Sequence, residues 1–507
     1  MRRDDAGALI LLALCVAALL ARLADVPAMT SDESWMGIFA LRVLARGVDS
    51  VHEMNRYTGP LYGVVVSGFL SAFGTSIASL RAFGALCNAG ALIATWAHLR
   101  RRISPQAGAF WLLLAAGSAY WLMKSRLAWE VYALQPLLVC AVAAVVAGAE
   151  KRAAPLALAA LCWLGVQNHF IFLCVPASLV LMFAARAAWL DEAAAVPGLR
   201  ASTAGLAAAA VLAALKYRVS DEFWDAHRVL VAAGLLAAPA TAAALVLAAP
   251  ATAWKRALDV LAAPAARRLG TILTGAGLLA FGVWHLIPMI QILAGPVVFK
   301  RVFSWPPPLA LSLCWHLWAL FLCAAIIWNS VRAWHDGSLS THQRTLLLWP
   351  AALGAVFIVL RNTSSLRYYC LPVWISLMAL GVGFALLAEA DKRAAALCAA
   401  AAMLATQGLL WREILAPVDR RPLEFRIGWH RDNSWDFARK DALYEALDQT
   451  RACTASSDEP GWAQGPLTFH HAARLSPCDH SVVLRVRPLP EAAAPPFFQW
   501  WLVPSKS

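Results

Sequence analysis

Charged side chains are scarce in this chain. They make up 14% of its 507 residues, against 61% hydrophobic. A soluble domain of this length needs far more polar surface, so the scarcity excludes a soluble globular protein and indicates a polytopic membrane protein. Metal-ligand spacing is missing as well: the 11 cysteines form no Cys-x-x-Cys and no Cys/His pattern. Nine of them lie in or beside apolar runs, where Cys behaves as a small hydrophobe. The other two, Cys453 and Cys478, lie in a polar tail. A small-residue cleavage site is absent after the first apolar run, which follows Arg2 and Arg3, so that run reads as a retained span. The net charge of +13 does not form a continuous basic face. Lys and Arg fall in short clusters between apolar runs, which is a membrane-topology signal and argues against a nucleic-acid partner.

A span needs about twenty apolar residues to cross a core of about 30 Å. Candidate spans lie near 7–24, 78–98, 107–122, 132–149, 154–167, 169–187, 201–216, 229–249, 270–292, 309–328, 346–360, 370–388 and 395–411, about thirteen in all. With the N-terminus inside, Arg100-Arg101-Arg102, Lys151-Arg152, Lys255-Arg256 with Arg267-Arg268, Arg332 with Arg344, and Lys392-Arg393 all fall on the cytoplasmic side. That agreement requires Leu61–Phe73 to stay out of the count. The run is short and follows Gly59-Pro60, so residues 60–74 read as an interfacial or re-entrant helix. The spans and loops over 1–411 form one membrane module. Residues 412–507 are polar, with a helical pattern at Ser434–Leu447 and a strand-like run at Val482–Val486, and read as a small extracytoplasmic α+β domain. Cys453 and Cys478 would face an oxidising compartment there, either as a disulfide or as two free thiols.

This topology collects the chemistry-bearing residues on one side. The first outward loop, 26–58, opens with Thr30-Ser31-Asp32-Glu33. An acid at a membrane–water boundary suits a general base, although Thr30-x-x-Glu33 also reads as a capping box. His52, Glu53, Asn55, Arg56 and Tyr57 close the loop, as candidate acceptor contacts. A second polar stretch, Lys124 to Tyr132, holds Arg126 and Glu130, which at i,i+4 are also placed for a surface salt bridge. A third runs from Arg361 through Arg367, Tyr368 and Tyr369. Its forked donors suit a phosphate at headgroup depth, and its aromatics equally suit an interfacial anchor belt. Lys216, Arg218, Lys300 and Arg301 lie outside against the positive-inside trend and are candidate lipid-phosphate contacts. His169, in Gln167-Asn168-His169, is a rarer signal; a histidine in such a place is commonly structural.

In this order, these segments resemble the GT-C superfamily of polyprenyl-phosphate-sugar-dependent glycosyltransferases, in the branch containing protein O-mannosyltransferases and aminoarabinose transferases. The resemblance rests on Asp32-Glu33 with Ala40-Leu41 and Arg46-Gly47, then Gly59-Pro60-Leu61-Tyr62, Phe73-Gly74-Thr75-Ser76 and Leu80-Arg81. Ser125-Arg126 through Tyr132-Ala133-Leu134 and the late Arg367-Tyr368-Tyr369-Cys370-Leu371-Pro372 complete it. It is dense over 28–140 and sparse beyond. It implies a GT-C fold and an inverting transfer of a sugar from a polyprenyl monophosphate to an acceptor hydroxyl. Asp32 would be the base, with Glu33 and Glu130 as further catalytic candidates. Arg126, Arg361, Arg367, Tyr368, Lys300, Arg301, Lys216 and Arg218 would bind donor phosphate or lipid. His52, Arg56, Tyr57, Tyr62 and His169 would contact sugar or acceptor. Many members carry Asp where this chain has Glu130.

The lipid-linked sugar is the one cofactor-like partner implied. No metal site is expected, and a monophosphate donor does not require one. The acceptor is left open among glycan, lipid and protein. The expected location is a bacterial inner membrane with the site facing the periplasm or exterior. The competing reading is a lipid or saccharide transporter. That class places ionisable residues at mid-membrane or repeats its halves; the span centres here are nearly free of charge, and no half-to-half repeat is found.

Overall fold

The structure, a computed structural model, describes residues 3–24, 29, 31–53, 55–269, 309–359, 366–420, 425–426, 447, 449, 454–457, 481–488 and 497–504. The spans expected at 270–292, the helix at Ser434–Leu447 (Leu447 apart), Lys300, Arg301, Arg361, Cys453 and Cys478 lie outside them.

Described residues up to Arg420 are helical or in short connections. The membrane module begins with α1 (Arg3–Leu20), α2 (Ser31–Arg46), α3 (Leu61–Phe73), α4 (Ile77–Arg102) and α5 (Pro105–Gly117). It continues through α6 (Ala119–Lys124), α7 (Glu130–Ala133), α8 (Gln135–Val146), α9 (Ala154–Asn168) and α10 (Cys174–Trp189). After these come α11 (Val196–Arg218), α12 (Asp221–Ala248), α13 (Ala251–Ala262), α14 (Leu309–His335) and α15 (Thr341–Val359). A short 3-10 turn, Leu366–Tyr369, leads into α16 (Cys370–Leu387). A π-helical turn, Ala388–Lys392, joins that helix to α17 (Arg393–Arg420), which runs past the boundary expected at 411.

Six described segments are long and apolar enough to cross a membrane: Ile77–Arg102, Phe170–Trp189, Ala193–Arg218, Asp221–Ala248, Leu309–His335 and Cys370–Ala390. The expected count of about thirteen is therefore met only in part. The run at 107–122 is not one helix, because Ser118 ends α5 and its side chain accepts from Trp121 N at 3.2 Å to start α6. At 132–149 the chain forms a four-residue turn and a separate helix of 12 residues. Helix α3 has the expected extent, and its 13 residues cover only about 20 Å.

Helix α16 is the axis of the bundle, with every residue from Cys370 to Leu386 buried. Such enclosure requires close helix approach, which small residues permit. A Cβ at Gly381 would lie 2.7 Å from the Trp111 Cβ on α5. Trp374 stands edge-on to Trp111, with ring centroids 5.5 Å apart, and lies against Trp121 at 5.5 Å. Farther out, α11 packs on α9, α10 and α12.

At one end of the bundle the loops are held by buried polar groups. Glu33, in the first turn of α2, is fully buried. It takes both arms of Arg81 from α4, Nε to Oε1 and Nη2 to Oε2, each at 2.8 Å. Its Oε1 also accepts the Ala128 backbone N–H at 2.8 Å, and Arg81 Nη1 donates to Leu23 O at 2.9 Å. Asn88 on α4 donates to Ser125 O and Tyr132 O at 3.3 and 2.9 Å. Arg126 donates to Ala18 O at 2.6 Å and also to Ala21 O and Arg22 O, satisfying the open carbonyls at the end of α1. Glycine sets two turns. Gly47 stops α2 in a left-handed conformation, φ +77°, and at Gly59 a Cβ would lie 1.9 Å from Gln167 O.

Beyond the module, the described strands β1 (Phe425–Arg426), β2 (Thr454–Ser457), β3 (Ser481–Pro488) and β4 (Phe497–Pro504) form a sheet of order β1-β4-β3-β2. β3 covers the strand-like run read from the sequence. It pairs antiparallel with β4 and parallel with β2.

Removing one partner of a buried ion pair leaves the other charge unmatched, at a cost of about 3–5 kcal/mol. Arg81→Leu should therefore lower the unfolding temperature in detergent far more than Arg218→Leu at an exposed position. The double variant Glu33→Leu/Arg81→Leu should regain part of the loss. An Arg81→Leu variant as stable as Arg218→Leu would remove this pair from its anchoring role.

Candidate active site

Asp32 and Glu33 are adjacent, and on a helix adjacent side chains point about 100° apart. That angle gives them different surroundings. Positions 33, 36 and 40 face inward, where Met36 and Ala40 pack in a buried cluster. Positions 32, 35, 39 and 42 follow the alternative 3-4-3 spacing, and Asp32, Trp35, Phe39 and Arg42 all line one cavity of 360 Å³. The other walls come from Glu53, Asn55, Tyr57 and Thr58 in the first loop, from Trp129 and Glu130, and from His169.

The first loop is folded locally before it meets the bundle. Asn55 Oδ1 accepts from Tyr57 N and Thr58 N, both at 3.1 Å, in an Asx turn. Thr58 then forms a short antiparallel bridge with His169, and Phe170 N donates to Tyr57 O at 2.9 Å. His169 Nδ1 accepts from Ile171 N at 3.0 Å, which orients the ring. The Tyr57 ring meets it edge-on at 5.4 Å, and the Tyr368 ring lies 5.9 Å away. Asn168 donates to Glu130 O at 2.8 Å and so ties α9 to the Trp129–Glu130 wall.

Two acids in this cavity are under-supplied with donors. Glu130 is fully buried, and neither carboxyl oxygen accepts a hydrogen bond of normal geometry from any described residue. Glu53 Oε1 accepts Gly63 N at 2.7 Å, while its Oε2 has no partner among the described residues. Burial pushes the Glu53 carboxyl up to about 8, against the Gly63 N–H and the Lys216 charge, which both favour its ionised form. A buried carboxyl without donors is costly as an anion. Such groups hold a proton or wait for a ligand's donors. Among the described residues no three His, Cys, Asp or Glu side chains are grouped to hold a metal ion.

Six of the residues singled out from sequence therefore meet in the cavity: Asp32, Glu53, Asn55, Tyr57, Glu130 and His169. Glu33 does not; its oxygens are committed to Arg81 and Ala128, which leaves it no role as a base. Thr30, the other member of the capping-box alternative, lies outside the described residues. Arg126 does not pair with Glu130; its arms donate to the carbonyls at the end of α1. Lys216 is fully buried, donating to Val166 O at 3.2 Å with its ammonium 5.3 Å from the Phe170 ring centre, so it does not reach lipid. His52 Nε2 lies 3.3 Å from Val219 O and braces the loop against the end of α11. Tyr62 is fully buried and is not among the described residues that line the cavity. Arg56 is exposed over the Tyr217 ring at 5.9 Å, and Arg218 is exposed on the same helix end. Arg367 lies in the turn before α16, with its side chain outside the described residues.

Sequence patterning does not single out Trp35, Phe39, Arg42, Thr58 or Trp129, and it places Glu53 and Asn55 only among the residues closing the loop. For α2 a signal is present: once Asp32 is assigned to a site, the i+3, i+7 and i+10 positions follow. Nothing local marks Glu53, whose place depends on a contact with α3.

No protein-family model matches the chain, and no curated protein matches it. Solved structures do. The Archaeoglobus fulgidus oligosaccharyltransferase in its complex with Zn and sulfate aligns at TM-score 0.53 and 16% identity, over 92% of this chain and 57% of that one. The apo form of the same protein aligns at TM-score 0.54 and 15% identity, over 93% and 60%. Its complex with an inhibitory peptide and a dolichol-phosphate gives TM-score 0.50 and 15% identity, over 94% and 61%. The chain spans about three fifths of the length of that archaeal protein. The GT-C fold implied by the resemblance is the fold this chain has.

Proposed function

We propose that the chain is an inverting membrane glycosyltransferase that moves a sugar from a polyprenyl monophosphate to an acceptor hydroxyl, with Asp32 as general base. The observation that carries this reading is the cavity itself. It joins Asp32, Glu53 and Glu130 to the aromatic side chains of Trp35, Phe39, Tyr57 and Trp129. A pocket with apolar aromatic walls and a few converging polar groups is the form of a small-molecule site, and aromatic faces suit the C–H faces of a sugar ring.

In the reaction, the acceptor oxygen attacks the anomeric carbon while the bond from that carbon to the phosphate oxygen breaks. The acceptor proton passes to the Asp32 carboxylate, and the polyprenyl phosphate departs with the electron pair. Attack opposite the leaving group inverts the anomeric centre. Glu53, proton-bearing near neutral pH, and Glu130 are placed to hydrogen-bond sugar hydroxyls. Arg42, on the same face of α2 as Asp32, is the described cation nearest in register to the base, and Arg361 and Arg367 remain candidates for the departing phosphate. The module would sit in a bacterial inner membrane with this cavity on the periplasmic or exterior face. The sheet after Arg420 would stand on that side.

General base catalysis contributes about 10²–10⁴-fold. Asp32→Asn, which keeps shape and removes basicity, should lower transfer of radiolabelled sugar from polyprenyl phosphate in membranes at least about a hundredfold at matched expression. Full activity in that variant would remove Asp32 as base, and a wild type that moves no sugar from any such donor would return the transporter reading.

Glu53 generates a pH prediction. An acid whose folded value is raised keeps its proton in the fold after the unfolded chain has lost it, so stability falls as pH rises from 4.5 to about 8. Glu53→Gln mimics the protonated form and removes that fall. The unfolding temperature of the variant minus that of wild type should grow between pH 5 and 8 and level off above. Parallel curves would mean that Glu53 is ionised in the fold.

A further inference from the structure

Two histidines outside the acidic site face each other toward the opposite end of the bundle. Helix α4 carries Arg81 beside the site and His98 about 26 Å farther along, at 1.5 Å per residue. His342 approaches from the first turn of α15, and the two Nε2 atoms lie 2.8 Å apart. The rings stand edge-on, with centroids 4.9 Å apart and an interplanar angle of 89°. Both side chains are half-buried. The turn that carries His342 is anchored on both sides. Ser340 Oγ accepts from Gln343 N at 3.2 Å and Gln343 Oε1 accepts from Ser340 N at 2.9 Å, the reciprocal contacts of a capping box. Arg344 ties the same turn to Glu192 at 3.0 Å and to Asp336 O at 2.8 Å. His98 rides on a helix of 26 residues. Rigid elements thus present the two nitrogens to each other.

A contact between two imidazole Nε2 atoms holds one proton, so one ring donates and the other accepts. His342 Nδ1 is buried and makes no hydrogen bond with any described residue, so no described contact there fixes which nitrogen carries the proton. With the proton of each ring at Nδ1, both Nε2 lone pairs are free to face one ion. Two nitrogens each about 2.0–2.1 Å from a metal stand about 2.9–3.4 Å apart at coordination angles between square and tetrahedral. The separation of 2.8 Å is within a few tenths of an ångström of that range. Burial, the His98 ring and the Arg102 charge push the His342 imidazole down to about 3, so at neutral pH it has the uncharged form that binds metal.

We propose that His98 and His342 form a two-histidine site for one divalent transition-metal ion of the copper, nickel or zinc kind. Imidazole suits these ions, and Cu(II) should bind most tightly by the general order of divalent affinities. Two rings leave the other coordination positions to water or further donors, the pattern of an exchangeable ion. The Arg102 charge beside both rings opposes a cation and keeps the affinity moderate. A bound ion would clamp α4 to α15 without touching the cavity around Asp32. The site is independent of the glycosyl-transfer reading.

The test uses the full chain in detergent, made without a polyhistidine tag and stripped of metal with a chelator, then titrated with Cu(II) and followed by electron paramagnetic resonance. Wild type should bind one Cu(II) whose spectrum reports two imidazole nitrogens. His98→Gln and His342→Gln should each leave one such nitrogen and weaken binding at least about tenfold, since even changes behind a ligand cost about 10–100-fold. The double variant should show neither nitrogen. His335→Gln removes an exposed histidine and should change nothing. Zn(II) should raise the unfolding temperature of wild type and leave that of the double variant unmoved. A measurement on wild type alone serves if a glutamine variant fails to fold: Zn(II) should slow backbone hydrogen exchange at 338–344 and leave 49–53 unchanged. An unchanged nitrogen count in the double variant, loss of binding in His335→Gln, no two-nitrogen copper signal in wild type, or exchange at 338–344 indifferent to Zn(II) would each overturn the proposal.

Discussion

The Glu33–Arg81 pair is the contact on which the acidic end of the molecule depends. It joins four separate stretches of chain: the first turn of α2, the first turns of α4, the carbonyl of Leu23 and the amide of Ala128. A bidentate pair of this kind fixes angle as well as distance. With both oxygens of Glu33 held, α2 cannot rotate about its axis, so the face carrying Asp32, Trp35, Phe39 and Arg42 is presented to the cavity. The Ala128 bond draws in the segment that carries Trp129 and Glu130. One buried pair thus places residues from two walls of the site without touching its interior. Buried pairs contribute little net stability once desolvation is counted, and their value lies in the geometry they impose.

This explains how much of the molecule is legible in its sequence. Membrane class, the short helix at Leu61–Phe73 and the strand beginning at Ser481 are written in local composition and periodicity. So is the association of the first loop with the Lys124–Tyr132 stretch, because both are polar islands between apolar runs. The division of labour inside each island is not legible. Glu33 and Arg81 are 48 residues apart, and Arg126 meets carbonyls more than 100 residues before it. Charges at a membrane rim suggest phosphate contacts when read singly. Here Lys216 and Arg126 answer internal backbone carbonyls instead, a role that only the packing of α9 on α11 and the position of the α1 end reveal. The run at 107–122 departs from a single helix for a related reason. A continuous apolar run says nothing of where Ser118 will cap a new helix.

Partnering separates the buried charges into two groups. Glu33, Arg81 and Arg126 each end on named donors or acceptors, as do Arg186 and Glu192, which are joined at 2.6 and 2.8 Å and to Arg344 at 3.0 Å. Their burial is accounted for by structure. Glu130, and Glu53 at one oxygen, are not accounted for in that way, and both face the same cavity. Sequences generally agree with their folds at every level, and departures concentrate where function requires them. Two under-satisfied acids could each be an accident; their convergence beside Asp32 on a single 360 Å³ space is harder to ascribe to packing. Each has acceptor capacity that no described residue fills, which is what the proposed role as a ligand contact requires. In the proposed reaction, the hydroxyls of a sugar would supply those donors without requiring either acid to be ionised. Under the proposed mechanism, the same reasoning favours Asp32 as the base. It is half-buried at the rim of the cavity, where water lowers the cost of carrying charge, whereas Glu130 lies at full depth and Glu33 has no oxygen to spare.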